Sequence, residues 1–280
     1  MNRLIAYVVV IVVVLLPRIS FAGLGVVELV VPPQKYGIFI AIDEYPEEIL
    51  TLYNCKRDAD VVSGALGCDE FEITKIYDEE ATYGNIMRAL EDRLNSCHEG
   101  DLLVLFFASH GVLQYDDFFV LPYSDGYEAG VGSASIMHSA ISGSLIMDFV
   151  SYFVKKDVNV ILFFDTCYSA GMSFDISNFY NPGSESGCAL IVSASPLEAA
   201  TDSSQDTFSL LFSQGLLGEA DFNSDKEVTI REAFDYAYEH VRERSDGMQH
   251  PVFISTLPNT LVLKSLGEKE EQGMEPQRVR

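Results

Sequence analysis

The sequence is poor in basic residues. It contains 18 lysines and arginines against 42 aspartates and glutamates, which gives a net charge of −24 over 280 residues. Nucleic acids and anionic membrane surfaces are poor partners for such a chain, because both attract positively charged protein surfaces. The sequence also has no long low-complexity tract, and 48% of its residues are hydrophobic, enough for one sizeable core. We expect a folded domain that favours cationic ligands, unless the acidic excess serves only solubility.

The N-terminal segment has no acidic residue and is short for a membrane span. About a dozen apolar residues, LIAYVVVIVVVLL, follow Arg3 and lead to Pro17 and the small residues Ser20 and Ala22. A spanning helix needs about 20 apolar residues, whereas a signal peptide has a shorter run followed by small residues. We therefore expect residues 1–22 to be a cleaved signal peptide, the protein to be periplasmic or extracellular, and no stable membrane insertion after cleavage. An uncleaved anchor is the alternative.

Cysteines are few, and their number is odd. An exported chain with five cysteines leaves at least one thiol without an intrachain disulfide. Cys55 and Cys68 stand near opposite ends of one predicted helix, about 20 Å apart at ~1.5 Å per residue, which is too far for a disulfide. The sequence does not decide how the other cysteines pair.

Apolar runs alternate with helical patterns over most of the chain. Strands are predicted at residues 35–43, 71–78, 102–109, 158–165 and 188–195, and helices at residues 52–66, 82–97 and 141–156. Several of these strands are apolar on both faces, which is typical of a parallel sheet covered by helices. We predict an α/β fold with a mostly parallel sheet and helices on both faces. Functional groups should collect beyond the carboxyl ends of its strands.

Two of the predicted strands lead to a reactive side chain followed by small residues. The run LLVLFFASHG ends at His110 and Gly111, and the run VNVILFFDTCYSAG contains Cys167. An imidazole can take the proton of a nearby thiol or stabilise the thiolate, which makes the pair a candidate nucleophile and base. The backbone N–H groups of Gly111 and Cys167 are candidate oxyanion donors. The alternative is a buried structural cysteine and a loop histidine.

These segments resemble a known family. FFASHG and FFDTCYSAG are similar to the paired His-Gly and Asp-x-Cys-x-Ser-Gly signatures of caspase-like cysteine peptidases, most closely metacaspases and their bacterial relatives. IAIDEYP, LYNCKRDADVVSGAL, ATYGNIMRAL, SASPLEAATD and QHPVF resemble further family segments in the same order, between about residues 35 and 255. Two positions depart from the family pattern, because Ser109 and Ala170 stand where glycine is usual.

The resemblance implies a caspase-like sandwich over residues 23–266, followed by a polar tail at 267–280. It implies a cysteine endopeptidase with Cys167 as nucleophile and His110 as general acid and base, a chemistry that requires no cofactor. Two other functions stay open. One is a caspase-like scaffold that binds without catalysis, and the other is a legumain-like peptidase that prefers asparagine at the P1 position of its peptide or protein substrate.

The resemblance further implies an acidic pocket for a basic P1 side chain, at the positions of Cys55, Asp58 and Asp165. The composition agrees, because residues 94–225 contain 17 acidic residues and only two basic ones. Arg57 is the one feature that favours an acidic P1 instead. It lies ~100° around the helix from Asp58, so we do not expect both to line one pocket.

The segment DFNSDKEVTIRE, residues 221–232, resembles an EF-hand calcium loop. The candidate ligands are Asp221, Asn223, Asp225, the carbonyl of Glu227, Thr229 and Glu232. Position six is Lys226, where glycine normally makes the turn, and its positive charge would stand beside the ion. If calcium binds here, we expect it to bind weakly. The alternative is an Asx-rich helix cap that keeps the shape of the loop without an ion.

The linker that follows the predicted nucleophile contains no cleavage site for an enzyme of basic specificity. Residues 168–187 include neither lysine nor arginine. Many caspase-like enzymes are cut in this linker, often by themselves. We expect this protein instead to work as one uncut chain.

Overall fold

The computed structural model describes residues 32–47, 49–67, 70–114, 117–125, 139–166, 186–193 and 207–267. Its strands, in chain order, are β1 (Lys35–Ala41), β2 (Glu72–Tyr77), β3 (Leu102–Ala108), β4 (Gly111–Gln114), β5 (Asp117–Val120), β6 (Ile141–Ser142), β7 (Asn159–Phe164), β8 (Cys188–Val192), β9 (Glu227–Thr229), β10 (Val252–Ser255) and β11 (Val262–Ser265). Its α-helices are α1 (Cys55–Leu66), α2 (Tyr83–Ser96), α3 (Gly143–Lys155), α4 (Phe208–Gln214) and α5 (Ile230–Arg244). The predicted signal peptide, most of the linker 168–187 and the tail beyond residue 267 lie outside the described residues.

Six strands form the central sheet in the order β10-β8-β7-β3-β1-β2. The five strands from β8 to β2 are parallel, and β10 pairs with β8 in the antiparallel sense at one edge. Strand β3 lies in the middle of the sheet, and all seven of its residues are buried. The prediction of a mostly parallel sheet from runs that are apolar on both faces is confirmed.

Helices cover both faces of the sheet and divide the core in two. Leu103, Leu105 and Phe107 of β3 pack on the side of α2 and α3, together with residues such as Val150. The alternate residues of β3, such as Phe106, pack on the side of α1, α4 and α5. Side chains alternate across a strand, so a strand in the middle layer must be apolar throughout. Each fully buried phenylalanine stabilises the fold by about 1.5–3 kcal/mol.

Local signals in the sequence set the ends of two helices. The hydroxyl of Thr82 accepts a hydrogen bond from the N–H of Asn85 (3.3 Å), which caps the start of α2. Helix α1 ends at Gly67, whose φ of 87° is accessible to glycine. The start of α1 is capped from elsewhere, since a carboxylate oxygen of Asp43, just after β1, accepts from the N–H of Cys55 (2.7 Å). This bond joins the carboxyl end of β1 to the helix that begins above it.

Two smaller sheets complete the described fold. Strands β4, β5 and β6 form an antiparallel sheet that begins directly after His110. Strands β9 and β11 pair beside the predicted calcium loop. Of the helices that the structure describes, none is long and apolar enough to cross a membrane.

Candidate active site

His110 lies at the carboxyl edge of the central sheet, two residues after β3 ends at Ala108. Its imidazole is partly exposed and lies against the ring of Tyr45, with the two centroids 5.0 Å apart. The backbone N–H of His110 donates to the Tyr45 hydroxyl (3.3 Å), and that hydroxyl donates to the carbonyl oxygen of Leu121 (2.8 Å). Tyr45 therefore connects the residue after β3 to the segment after β5 and holds the histidine backbone in place.

One nitrogen of the His110 ring is engaged by the backbone. Its Nε2 lies 2.5 Å from the carbonyl oxygen of Leu50. A carbonyl oxygen only accepts hydrogen bonds, so Nε2 carries the proton of the neutral ring and Nδ1 keeps its lone pair. Nδ1 is consequently the nitrogen that can take a proton from a nearby acid. The Leu50 carbonyl then stabilises the resulting imidazolium.

Strand β7 reaches the same edge of the sheet beside β3. The two strands are parallel, in a register that places Phe107 opposite Phe164. The register continues one residue further, because the N–H of Asp165 donates to the carbonyl oxygen of Phe107 (2.8 Å). Cys167, the predicted nucleophile, follows two residues later and lies outside the described residues. Gly111, the predicted oxyanion donor, opens β4 opposite Val120 of β5.

Two other cysteines carry thiols that are too deeply buried to act as nucleophiles. Cys97, just after α2, and Cys188, at the start of β8, are 2% and 0% exposed. Burial raises the pKa of the Cys97 thiol to about 11 and that of the Cys188 thiol to about 12. The thiolate is the attacking form of cysteine, so both side chains stay protonated and unreactive at neutral pH.

Asp58, predicted to bind substrate, is held by a small hydrogen-bond network. The residue lies in the first turn of α1 and is 5% exposed. Its Oδ1 accepts from the hydroxyl of Thr207 (2.9 Å) and from Nη2 of Arg57 (3.1 Å). Cys55, the other pocket residue predicted on this helix, is partly buried and packs against the same core as α1.

Asp165 lies close to this network and is held by the same neighbouring helix. Its Oδ2 accepts from the hydroxyl of Ser209 (2.5 Å), and Thr207 and Ser209 both belong to the start of α4. Burial raises the pKa of Asp58, and the charge of Asp165 raises it further, to about 7, against the opposing hydrogen bonds of Arg57 and Thr207. The structure thus brings together the two acidic side chains that the resemblance placed in one pocket.

The expectation that Arg57 and Asp58 would not share a pocket is wrong. Nη2 of Arg57 lies 3.1 Å from Asp58 Oδ1 and 3.4 Å from the hydroxyl of Thr207. The helical angle describes the directions of the Cα–Cβ bonds, whereas the long arginine side chain can fold back along the helix. A carboxylate taken out of water needs such a partner. The guanidinium therefore lies in the group formed by Asp58, Asp165 and their hydrogen-bond partners, which we call the acidic cluster.

Three contributors to this site were missed from the sequence. The Leu50 carbonyl carries no signal, because every residue has such a group. Thr207 precedes the apolar run of α4 and caps it, since its hydroxyl accepts from the N–H of Leu210 (3.2 Å), so an N-cap pattern was available. Ser209 is the second residue of α4. Its hydroxyl has a role only because α4 packs beside the end of β7, where the hydroxyl donates to Asp165.

The predicted calcium loop, residues 221–232, is closed by its own hydrogen bonds. The carboxylate of Asp221 accepts from the N–H groups of Asp225 (3.1 Å) and Lys226 (3.2 Å). The side-chain amide of Asn223 donates to Asp225 (2.9 Å) and to Glu232 (3.2 Å). The carboxylate oxygens of the candidate ligands thus point toward one another. They accept hydrogen bonds from the side-chain amide of Asn223 and from backbone N–H groups.

The second half of the loop forms a helix cap. The N–H of Glu227 donates to Asp225 (2.9 Å), and Thr229 and Glu232 form a capping box at the start of α5. In the part of the chain that the structure describes, no group of three or more His, Cys, Asp and Glu side chains is arranged to hold a metal. Calcium does not fit this arrangement of the loop, which has the geometry of the Asx-rich cap. Calcium binding stays a prediction, and we derive no step of the chemistry through it.

Comparison with known proteins gives the same fold and a family. The family model described as "Caspase domain" matches residues 34–262. Protein GSU0716 from Geobacter sulfurreducens has a TM-score of 0.58 at 14% identity, over 84% of this chain and 100% of that one. The Drosophila initiator caspase Dronc has a TM-score of 0.52 at 14% identity, over 81% of each chain.

At that level of identity, the two solved structures bear on the fold alone. No curated protein matches the chain in sequence. The family model, however, spans the central sheet from just before β1 to the start of β11, including β3 and the edge that carries His110. The chain therefore belongs to the caspase-domain family of peptidases.

Proposed function

We propose that the protein is an exported cysteine endopeptidase that uses Cys167 and His110 to cleave peptide bonds after arginine or lysine. The register of β3 and β7 is the observation that carries the dyad. Phe107 lies opposite Phe164, and His110 and Cys167 each follow three residues later in their own segments. This equal spacing supports the pairing of the thiol and the imidazole at one edge of the sheet.

In the first half of the reaction, Nδ1 of His110 takes the proton of the Cys167 thiol, and the thiolate attacks the scissile carbonyl carbon. The carbonyl oxygen becomes an oxyanion, for which the N–H groups of Gly111 and Cys167 are the proposed donors. The imidazolium, stabilised at Nε2 by the Leu50 carbonyl, then gives its proton to the departing amine. The peptide C–N bond breaks, and the acyl group stays on sulfur as a thioester.

The second half returns the enzyme to its starting state. A water molecule attacks the thioester carbon while His110 takes one of its protons. The C–S bond breaks, and the imidazolium gives that proton to the sulfur of Cys167. The products are a new carboxyl terminus and the regenerated thiol. The scheme requires no cofactor, because every proton passes through the imidazole.

The acidic cluster supports a basic P1 side chain. Asp58 and Asp165 lie close together, and the guanidinium of Arg57 donates a hydrogen bond to the carboxylate of Asp58. With all three groups ionised, the cluster carries one net negative charge. A lysine or arginine side chain neutralises that charge, whereas an aspartate side chain adds to it.

Export is supported by the sequence of residues 1–22 alone, which lie outside the described residues. N-terminal sequencing of the protein recovered from the culture medium or periplasm tests it. A mature chain that begins at Gly23 would agree with cleavage after Ala22. A membrane-bound chain that retains residues 1–22 would indicate the uncleaved anchor instead.

Fluorogenic peptides that differ only at P1, with Arg, Lys, Asn or Asp, test the enzymatic function. We expect hydrolysis after Arg and Lys, and a loss in kcat/KM of about 10³-fold or more in Cys167→Ala and in His110→Ala. Cys97→Ala is the matched control and should retain activity, because its thiol is buried. Cleavage after Asp would contradict the basic specificity, and cleavage after Asn alone would indicate a legumain-like enzyme. A folded wild type that binds peptides without cleaving them would indicate a scaffold.

A further inference from the structure

The guanidinium of Arg57 lies in the acidic cluster that the proposed function gives to the P1 side chain. Its Nη2 and Nε lie 3.1 and 3.4 Å from the same oxygen, Oδ1 of Asp58. The side chain of Arg57 is 33% exposed and that of Asp58 only 7%. The cation therefore lies on the solvent side of a buried carboxylate, which is the side from which a substrate must approach.

The charges around Asp58 explain why a cation is held there. The negative charge of Asp165, just after the end of β7, acts on Asp58. The positive charge comes from Arg57, which lies in α1 next to Asp58 in sequence. Helix α4 contributes the neutral hydroxyls of Thr207 and Ser209. Two neighbouring carboxylates repel each other, so a positive charge is needed if both are to ionise in a site with little water. In the free protein, Arg57 supplies that charge.

We propose that Arg57 is a specificity-determining residue: an internal cation that a basic P1 side chain must displace from Asp58. The inference rests on the proposed function, because it concerns the same pocket. A P1 arginine and Arg57 offer the same planar N–H donors to the same carboxylate, so they compete. A neutral P1 side chain does not compete for that oxygen. Arg57 thus weakens the binding of substrates with a basic P1 side chain. It thereby reduces the difference in affinity between these substrates and those with a neutral P1 side chain.

Replacing Arg57 by glutamine removes the competing charge and keeps a polar side chain of similar length. At pH 8.5, we expect the KM for a P1-Arg peptide to fall about fivefold, with kcat within about twofold of the wild type. The KM for the matched P1-Gln peptide should not change. Arg57→Lys should lower the KM for the P1-Arg peptide less than Arg57→Gln does, because lysine keeps the competing charge but not the planar pair of N–H donors.

The pH profile gives a readout that a merely structural role would not move. Without Arg57, Asp58 loses a partner that favours its charged form. The rise of 1/KM with pH for the P1-Arg peptide should therefore shift to higher pH in Arg57→Gln. Lys75→Gln is the control for net charge, since its Nζ pairs with the exposed Asp60 (2.6 Å), and it should leave the profile in place.

Calorimetry in a Cys167→Ala background separates this inference from the catalytic proposal, because binding then needs no hydrolysis. The Arg57→Gln,Cys167→Ala protein should bind the P1-Arg peptide about fivefold more tightly than Cys167→Ala alone. Equal or weaker binding would overturn the role of Arg57 while leaving basic specificity intact. If neither protein prefers the P1-Arg peptide over the P1-Gln peptide, basic specificity and the role of Arg57 fall together.

Discussion

Nε2 of His110 lies 2.5 Å from the carbonyl oxygen of Leu50, a residue 60 positions earlier in the chain. This contact selects the tautomer of the neutral imidazole and leaves Nδ1 as the basic nitrogen. Leu50 lies between β1 and α1, as does Tyr45, whose hydroxyl accepts from the backbone N–H of His110. The segment between β1 and α1 therefore orients the histidine through both its ring and its backbone.

We predict that Tyr45→Phe lowers both stability and turnover. The hydroxyl links the N–H of His110 to the carbonyl of Leu121, and Tyr45 is buried. Its loss should lower the free energy of unfolding by about 1–2 kcal/mol, because two backbone groups lose a partner. We expect kcat to fall more than KM changes, since the ring that moves the protons is then less firmly held. Urea denaturation and steady-state kinetics measure the two effects.

Tyr53→Phe provides the matched control for the loss of a tyrosine hydroxyl, because Tyr53 is exposed and close by in sequence. It should leave the unfolding free energy within about 0.5 kcal/mol of the wild type. Unchanged stability and kcat in Tyr45→Phe would show that the hydroxyl does not position the histidine.

We predict that Asp58 makes the protein less stable as the pH rises from about 4 to about 7. Its pKa is about 7 in the folded protein, mainly through burial and then through Asp165, against a usual value of 3.8. Between these values the folded state keeps a proton that the unfolded state releases. The stability that this retained proton contributes is fully present below the pKa of Asp58 in the unfolded state. It is lost as the pH rises through the pKa of Asp58 in the folded state.

The measurement is the free energy of unfolding of the wild type minus that of Asp58→Asn, at several pH values. The difference should decrease between about pH 4 and pH 7 and be level above that. Asp60→Asn, an exposed change on the same helix, is the matched control. A difference that grows with pH would mean that Asp58 is stabilised in its charged form.

Lys226→Gly should stabilise the loop at residues 221–232 and strengthen any binding of calcium. Lys226 has a φ of 66°, a left-handed conformation that costs a residue with a side chain about 1 kcal/mol. Glycine removes that strain and also removes a positive charge from the sixth position of the loop. We expect a gain of about 0.5–1 kcal/mol in unfolding free energy.

Ser224→Gly separates conformation from charge, because Ser224 has a φ of 60° and carries no charge. In titration calorimetry with millimolar calcium, Lys226→Gly should show binding heat at a lower calcium concentration than the wild type or Ser224→Gly. That heat should be absent in the double variant Lys226→Gly,Glu232→Ala. No heat in any of the proteins would leave the helix cap as the only role of the loop.

The active protein should consist of one uncut chain. The linker at residues 168–187 contains no lysine or arginine, so an enzyme of basic specificity has no site there. Intact mass spectrometry of the purified active protein, beside Cys167→Ala, tests this. A cut between residues 168 and 187 that depends on Cys167 would contradict both the single chain and the basic specificity. Self-cleavage at Lys155, Lys156 or Lys226 would agree with that specificity.

The layered architecture could be predicted from sequence because its signals are local. Strand β3 is apolar at every position, and a strand of that kind fits only between two layers of helices. Thr82 marks the start of a helix because its hydroxyl accepts a hydrogen bond from a free backbone N–H of the first turn. Gly67 marks the end of a helix because glycine readily adopts the positive φ found there. The paired runs that lead to His110 and Cys167 likewise identified the edge of the sheet where the chemistry is proposed.

Only the tertiary structure decided which groups touch at that edge. The Leu50 carbonyl meets His110 because of the path of a loop, and a backbone group has no signature in sequence. Arg57 joins Asp58 although the helical angle separates them, because a long side chain follows charge and burial rather than the direction of its Cβ. Ser209 reaches Asp165 because α4 packs beside the end of β7. Such contacts form between residues up to 150 positions apart, and they follow from how preformed elements pack rather than from any one segment.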